Sequence, residues 1–136
     1  MPMFRSWIPS LAALLLPLLL ASPSAAQIEQ TGPKIAPNTL SLTAQFGSSV
    51  AISSDGNTAI FGAPFQNPVG AAFVYERSGT AWSPQGTKLV GLGATTIPEI
   101  GYSVALSANG NTAATGAPGD NASAGAVWVF TRSAGA

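Results

Sequence analysis

The sequence predicts an all-β fold made of propeller-like, four-stranded antiparallel units, about two in number. A stretch of nineteen residues recurs with a spacing of 54, which is the size of one supersecondary repeat. The 15 Gly and 11 Pro favour short strands joined by tight turns over helices. Apolar residues occupy both faces of the expected strands, which is typical of a sheet that packs between two neighbours.

The repeat defines the organisation of the chain. Phe46–Pro64 and Ile100–Pro118 align without a gap and are identical at twelve of nineteen positions. After one inserted residue, Val69–Ser78 matches Ala124–Ser133. Upstream, at the original spacing, Gly32, Lys34 and Ile35 correspond to Gly86, Lys88 and Leu89. We therefore expect a leading strand segment in 27–44 that completes a unit, a first repeat in 45–99 and an incomplete second repeat in 100–136.

Each unit is expected to contain four strands. Asp55-Gly56 and Asn109-Gly110 predict the first tight turn of each unit, because Asp, Asn and Gly tolerate the positive φ of short hairpins. Pro64 ends the returning strand, since proline cannot donate to a ladder. In the first unit, the strands are predicted at Ser48–Ser53, Thr58–Gly62, Ala71–Glu76 and Trp82–Val90.

The first 26 residues have the pattern of a signal peptide. Arg5 gives a positive charge, an apolar run through Leu14–Leu20 follows, and small residues lead to an expected cleavage between Ala26 and Gln27. The alternative, a membrane anchor, needs about 20 apolar residues, and this run is shorter. We expect no membrane span after removal of the signal, and a mature protein that is secreted, periplasmic or bound at the cell surface.

Composition argues against several classes of function. The formal net charge is zero, whereas nucleic-acid binding and polybasic membrane binding need a basic surface. The chain has no Cys and no His, so disulfides and the usual pairs of base and nucleophile are excluded. The acids are scattered, so we predict a protein that is not an enzyme and holds no cofactor; they are Glu29, Asp55, Glu76, Glu99 and Asp120.

The repeated residues resemble a known family. Phe46-Gly47 and, further on, Gly62-Ala63-Pro64 resemble the motif that names the FG-GAP repeats. The second copy keeps Gly101 and Gly116-Ala117-Pro118, and has Ile100 in place of the phenylalanine. The resemblance covers Gln27–Ala136. It implies the β-propeller blades found in the heads of integrin α subunits, and a non-catalytic surface for proteins or other extracellular ligands.

One property of that family is not expected here. Some integrin blades hold calcium in an Asp-rich loop between the two parts of the motif. The corresponding stretches of this chain carry Asp55 in the first copy and no acid in the second. Because Ca²⁺ takes several oxygen ligands, commonly from more than one carboxylate, we predict no metal site.

Two groups of residues are candidates for a ligand surface. Asp120 and Asn121 lie in the loop after the second Gly-Ala-Pro, and the alternative interpretation is a solvated turn. Four aromatic residues provide either a binding face or core packing; they are Tyr75, Trp82, Trp128 and Phe130.

Three hypotheses for function follow. The first is an exported binding or adhesion module, the second a fragment of a larger propeller with only a structural role, and the third an accessory part of a secreted hydrolase. We also expect the chain to self-associate or to belong to a longer propeller. Two units would leave apolar outer faces in water, with Ile60, Phe61, Phe73 and Val74 as the expected exposed residues.

Overall fold

The computed structural model describes residues 26–95 and 97–133, which form an all-β structure. The elements are β1 (Val50–Ile52), β2 (Thr58–Ala63), β3 (Ala71–Ser78), β4 (Ala81–Pro84), β5 (Ser103–Leu106), β6 (Thr112–Ala117), α1 (Asp120–Ser123) and β7 (Ala126–Thr131). The only helix in these ranges has four residues, so no helix there can cross a membrane.

The strands form two antiparallel sheets. The first sheet has the order β1-β2-β3-β4, and the second has the order β5-β6-β7. The repeat is preserved in the register. Val50 pairs with Phe61 and Phe61 with Phe73, while Val104 pairs with Thr115 and Thr115 with Trp128. The predicted all-β class is thus confirmed, and the described residues form two sheets of four and three strands.

The hairpins at the start of both sheets form where the sequence predicts them. Gly56 and Gly110 have φ values of +70° and +72°, which glycine adopts without steric cost. The turn that contains Gly56 connects β1 to β2, and the turn that contains Gly110 connects β5 to β6. The two predicted turn signals are therefore confirmed.

The fourth strand of the first sheet is shorter than predicted. β4 ends at Pro84, and its pairing with β3 starts at Tyr75. The chain then turns at Gly86, with φ +69°, and returns to β3 at Leu89, which exchanges two backbone hydrogen bonds with Ala72 at 2.7 and 3.0 Å. The expected strand Trp82–Val90 is therefore divided in two, because proline and glycine interrupt the ladder.

The central strands of the first sheet, β2 and β3, are covered on both faces. On one face, Phe73 and Tyr75 pack with the segment 27–47, which we call the leader. On the other face, Ile60 and Ala72 pack against Ala113 of the second sheet. Ile60 is 0% and Phe73 7% exposed, and Phe61 and Val74 are partly buried. The expectation that these residues face water is wrong, because the leader covers Phe61 and Phe73 and the second sheet covers Ile60 and Val74.

The leader has no strand in residues 27–44, although the sequence predicts one that completes a unit. It lies as a loop along the first sheet and contributes Ile35, Leu40 and Ala44 to the hydrophobic cluster there. Among the described residues, the second sheet has no fourth strand beside β7.

Candidate functional site

The repeat motif joins the two sheets to each other. The Ser49 hydroxyl donates to the carbonyl oxygen of Gly101 at 2.8 Å, across the junction. Within the first sheet, Gly47 N–H donates to the Gly62 carbonyl and Gly62 N–H to the Ser49 carbonyl, each at 2.9 Å. A side chain at Gly62 would collide with Gly101, so the glycine permits close backbone approach.

The Gly-Ala-Pro part of the motif is buried in the first unit and only partly buried in the second. Ala63 is fully buried, Pro64 is buried, and Ala117 is 1% exposed, whereas Pro118 is exposed. In the second sheet, Gly116 is half-buried, and the backbone N–H of Gly101 donates to the Thr115 hydroxyl at 2.8 Å.

The phenylalanine of the motif belongs to an aromatic cluster. The Phe46 ring lies 5.3 Å from that of Phe61 and 5.6 Å from that of Phe73, centroid to centroid. In the second unit, Ile100 and Thr115 occupy the positions of Phe46 and Phe61, and Ile100 is fully buried. In the second unit, an isoleucine and a threonine thus replace two of the clustered aromatic residues.

Each unit binds the segment that precedes it through the loop after Gly-Ala-Pro. In the first unit, Gln66 Oε1 accepts hydrogen bonds from the backbone N–H and the hydroxyl of Ser41, at 3.0 and 3.3 Å. In the second unit, Asp120 Oδ1 accepts from the backbone N–H and the hydroxyl of Thr95, at 2.7 and 2.8 Å. Ser41 and Thr95 are equivalent in the repeat, so we call both contacts loop anchors.

The loop anchor explains the position of Asp120, a residue that the sequence offered as a ligand edge or a solvated turn. The Asp120 side chain is 3% exposed. Hydrogen bonds from Thr95 hold the pKa of this carboxyl below its usual value. Asn121 is exposed, with φ +49°. Of the two residues, Asn121 is the one that faces solvent.

The turn residue Asp55 binds its own loop. Its Oδ1 accepts from the Ser53 hydroxyl at 2.5 Å and from the Asn57 N–H at 3.0 Å, and the Ser53 contact is the main reason that the pKa of Asp55 is lowered. Asn109 makes the same contacts with Ser107 and Asn111 in the second sheet. Within the described ranges, no group of three or more acidic, histidine or cysteine side chains could hold a metal ion.

The four aromatic candidates are divided between the two units. Tyr75 is 4% exposed, and Trp82 packs beside it against the hydrophobic cluster between the leader and the first sheet. Trp128 donates its indole N–H to the Leu92 carbonyl at 3.1 Å, and Phe130 lines a cleft between the sheets. These positions favour core packing over a common binding face.

The cleft between the sheets has a volume of about 360 Å³. Arg132 contributes to its wall and bridges the sheets through Glu76 Oε1 at 2.7 Å and Gln85 Oε1 at 2.9 Å. The other walls are largely apolar, and include Val74, Leu89 and Phe130.

A second concave region lies where the loops after the two Gly-Ala-Pro motifs meet the segment that ends in Glu99. Two depressions, of about 250 and 610 Å³, adjoin there and have Ile97 and Glu99 in common. Ile97 is 68% and Phe65 38% exposed, and Ile97 has φ +55°, which is rare for a β-branched residue. We call this region the loop surface; its other residues include Asn67, Ala122 and Ser123.

Ala26 and Gln27, which flank the expected cleavage position, are exposed at the start of the described chain. The remainder of the predicted signal peptide, residues 1–25, lies outside the described residues.

Comparison with known proteins gives no match to a family model, to a curated protein or to a solved structure. Sequence reasoning missed the loop anchors and the loop surface. A signal for the anchors was present, because Ser41 and Thr95 are hydroxyl residues with the spacing of the repeat.

Proposed function

We propose that this chain is an exported, non-catalytic repeat protein of the FG-GAP type, in which the two sheets are neighbouring propeller blades and the loop surface binds a protein or another extracellular ligand. The repeat motif supports the assignment to blades, since its glycines and Ser49 lie at the contact between the two sheets. No catalytic step is included in the proposal.

The loop surface carries the proposed binding function. It combines exposed apolar side chains, Phe65 and Ile97, with polar groups at Asn67 and Glu99. The surface is concave and offers a ligand both apolar contacts and hydrogen-bonding groups. It lies between equivalent loops of the two units, so a ligand there would contact both repeats.

A structural role is the second candidate. The observation that favours it is the exposure of Val127 and Val129 on the second sheet, since a sheet inside a longer array would bury them.

Export is tested by the position at which the mature chain begins. We expect mass spectrometry of the culture medium or the cell envelope to find a chain that starts at Gln27. A cytoplasmic product that retains Met1 would contradict export.

Binding is tested by applying the labelled mature protein to cells of the source organism in which its gene has been deleted. Ile97→Asp should reduce the amount bound at least about tenfold, because a charge replaces the central apolar contact. Leu92→Asp is the matched control, since Leu92 is 92% exposed and lies outside the loop surface. Equal binding of the two variants, or no binding by the unaltered protein, would contradict the proposed surface.

A further inference from the structure

Four large aliphatic residues of the two sheets face solvent. Val50 and Ile52 of β1 are 63% and 57% exposed, and Val127 and Val129 of β7 are 68% and 65% exposed. Exposed apolar groups of this kind mark interaction sites on soluble proteins. The two pairs lie in different repeats and on different sheets, so they do not cover each other.

The repeat shows what each pair is suited to contact. Val50 and Ile52 are equivalent to Val104 and Leu106, which pack at the junction against Ile60 and other residues of the first sheet. Val127 and Val129 are equivalent to Ala72 and Val74, which lie on the opposite side of the same junction. The exposed pairs therefore correspond to the two halves of one contact that the chain already makes internally.

Glycine positions lead to the same conclusion. A side chain at Gly62 or Gly70 would collide with backbone atoms of Gly101 or Ile100 across the junction. At the equivalent Gly116, an added carbon would meet only the Ser103 side chain. The space beside Gly116 on the second sheet is thus open to the approach of another backbone.

The glycines on the other side of the junction can be compared in the same way. Gly101 has φ +90°, and a side chain there would collide with Ala71 and Ala63 of the first sheet. Gly47, at the equivalent position, has φ +88° and nothing within 4 Å of an added carbon. Space is therefore open in front of the first sheet as well as behind the second.

The position of the leader on the first sheet matches that of the equivalent segment on the second sheet. It is held to the first sheet by the Ser41–Gln66 anchor, as the equivalent segment before the second sheet is held by the Thr95–Asp120 anchor. Ile35 of the leader corresponds to Leu89, the residue that bridges to Ala72 of the preceding sheet. The residue equivalent to Ala72 in the second sheet is Val127, on the edge strand β7.

We propose that a second copy of the chain binds head to tail, with its leader and first sheet packed on the outer face of the second sheet, the face that carries Val127 and Val129. Val50 and Ile52 of the second copy then pack over β5 and β6, as Val104 and Leu106 of β5 pack over β1 and β2 within the chain. Ile35 of the second copy forms the backbone bridge with Val127, and the Ser103 hydroxyl donates to the carbonyl of Gly47 of the second copy. The contact is heterologous, so it leads to a ring where it closes and to a chain where it does not.

Charge distinguishes this contact from the internal junction. The internal junction includes the ion pair between Arg132 and Glu76. At the proposed contact, the position of Glu76 is taken by Thr131, and Arg77, in the position of Arg132, already donates to the Gly56 carbonyl and Asn57 Oδ1. The proposed contact has no ion pair at this place, so salt should weaken it little.

Complementation of two variants tests the proposal. Val129→Lys alters the rear contact and Ile52→Lys the front contact, and both residues are more than half exposed, so each variant should fold. The chain is purified as the producing cell processes it, and sedimentation velocity is measured over a range of concentrations. Each variant alone should have a dissociation constant raised at least about tenfold, because a buried aliphatic side chain is replaced by a charge.

A mixture of the two variants should form a one-to-one dimer, because each retains the half that the other lacks. Leu92→Lys should associate as the unaltered chain does. A monomeric unaltered chain would overturn the proposal. If Val129→Lys loses association and Ile52→Lys does not, the proposal is overturned too, since that result indicates contact between two rear faces. A mixture that remains monomeric while circular dichroism shows both variants folded would also overturn it.

Discussion

The two sheets are built from copies of one repeat, yet the central strands of the first are covered on both faces and those of the second on one. In the first sheet, the leader covers Tyr75 and the second sheet covers Ile60. In the second sheet, Phe130 faces the junction cleft, whereas Val129 beside it is 65% exposed. The comparison shows that burial in a repeat is decided by its neighbours, and that the same pattern yields a core face or an exposed face.

The largest expected effect tests the junction between the sheets. Gly101→Ala should lower the free energy of unfolding more than Gly47→Ala, by about 2 kcal/mol, because only the first adds a collision with the neighbouring sheet. Both glycines have φ near +90°, so the cost of backbone strain is common to the two variants. Urea denaturation at low protein concentration measures the difference, and equal losses would show that the junction is loosely packed.

A smaller effect distinguishes the two loop anchors by pH. The lowered pKa of Asp120 means that its contribution to stability is present above the ordinary value of 3.8, and is lost as the pH falls through that value and below. The first anchor uses the neutral Gln66, which does not titrate. Asp120→Asn should therefore have a melting temperature that changes less between pH 6 and pH 3 than that of the unaltered chain.

Gln66→Asn is the control for this experiment, since it alters an anchor without removing a charge. It should lower the melting temperature without a change in its pH dependence. If Asp120→Asn keeps the full acid-dependent loss of stability, then Asp55 or another carboxyl is responsible for it.

Much of the sheet structure could be predicted from the sequence. The hairpins at Gly56 and Gly110 and the alternation of Phe73 and Tyr75 with their neighbours follow from local turn chemistry and from the period of two. These features depend on residues that are close together in the chain, so the sequence pattern contains them.

Other features depend on contacts that a local pattern does not contain. The sequence predicts a strand in the leader because the leader matches residues near Leu89. Among the described residues, however, no strand pairs with the leader, and it packs as a loop. Asp120 reads as an exposed turn residue, and its burial depends on Thr95, which lies 25 residues away. The loop surface arises from three loops that meet only in the folded chain.

The most direct test of the account uses engineered cysteines, since the chain has none of its own. Ile35→Cys and Val127→Cys proteins are mixed and oxidised. If the leader of one copy meets β7 of another as Leu89 meets Ala72, the two sulfurs lie within reach of a disulfide, and a mixed disulfide dimer forms. Val127→Cys mixed with Leu92→Cys is the control. A mixed dimer no more abundant than in that control would contradict head-to-tail stacking.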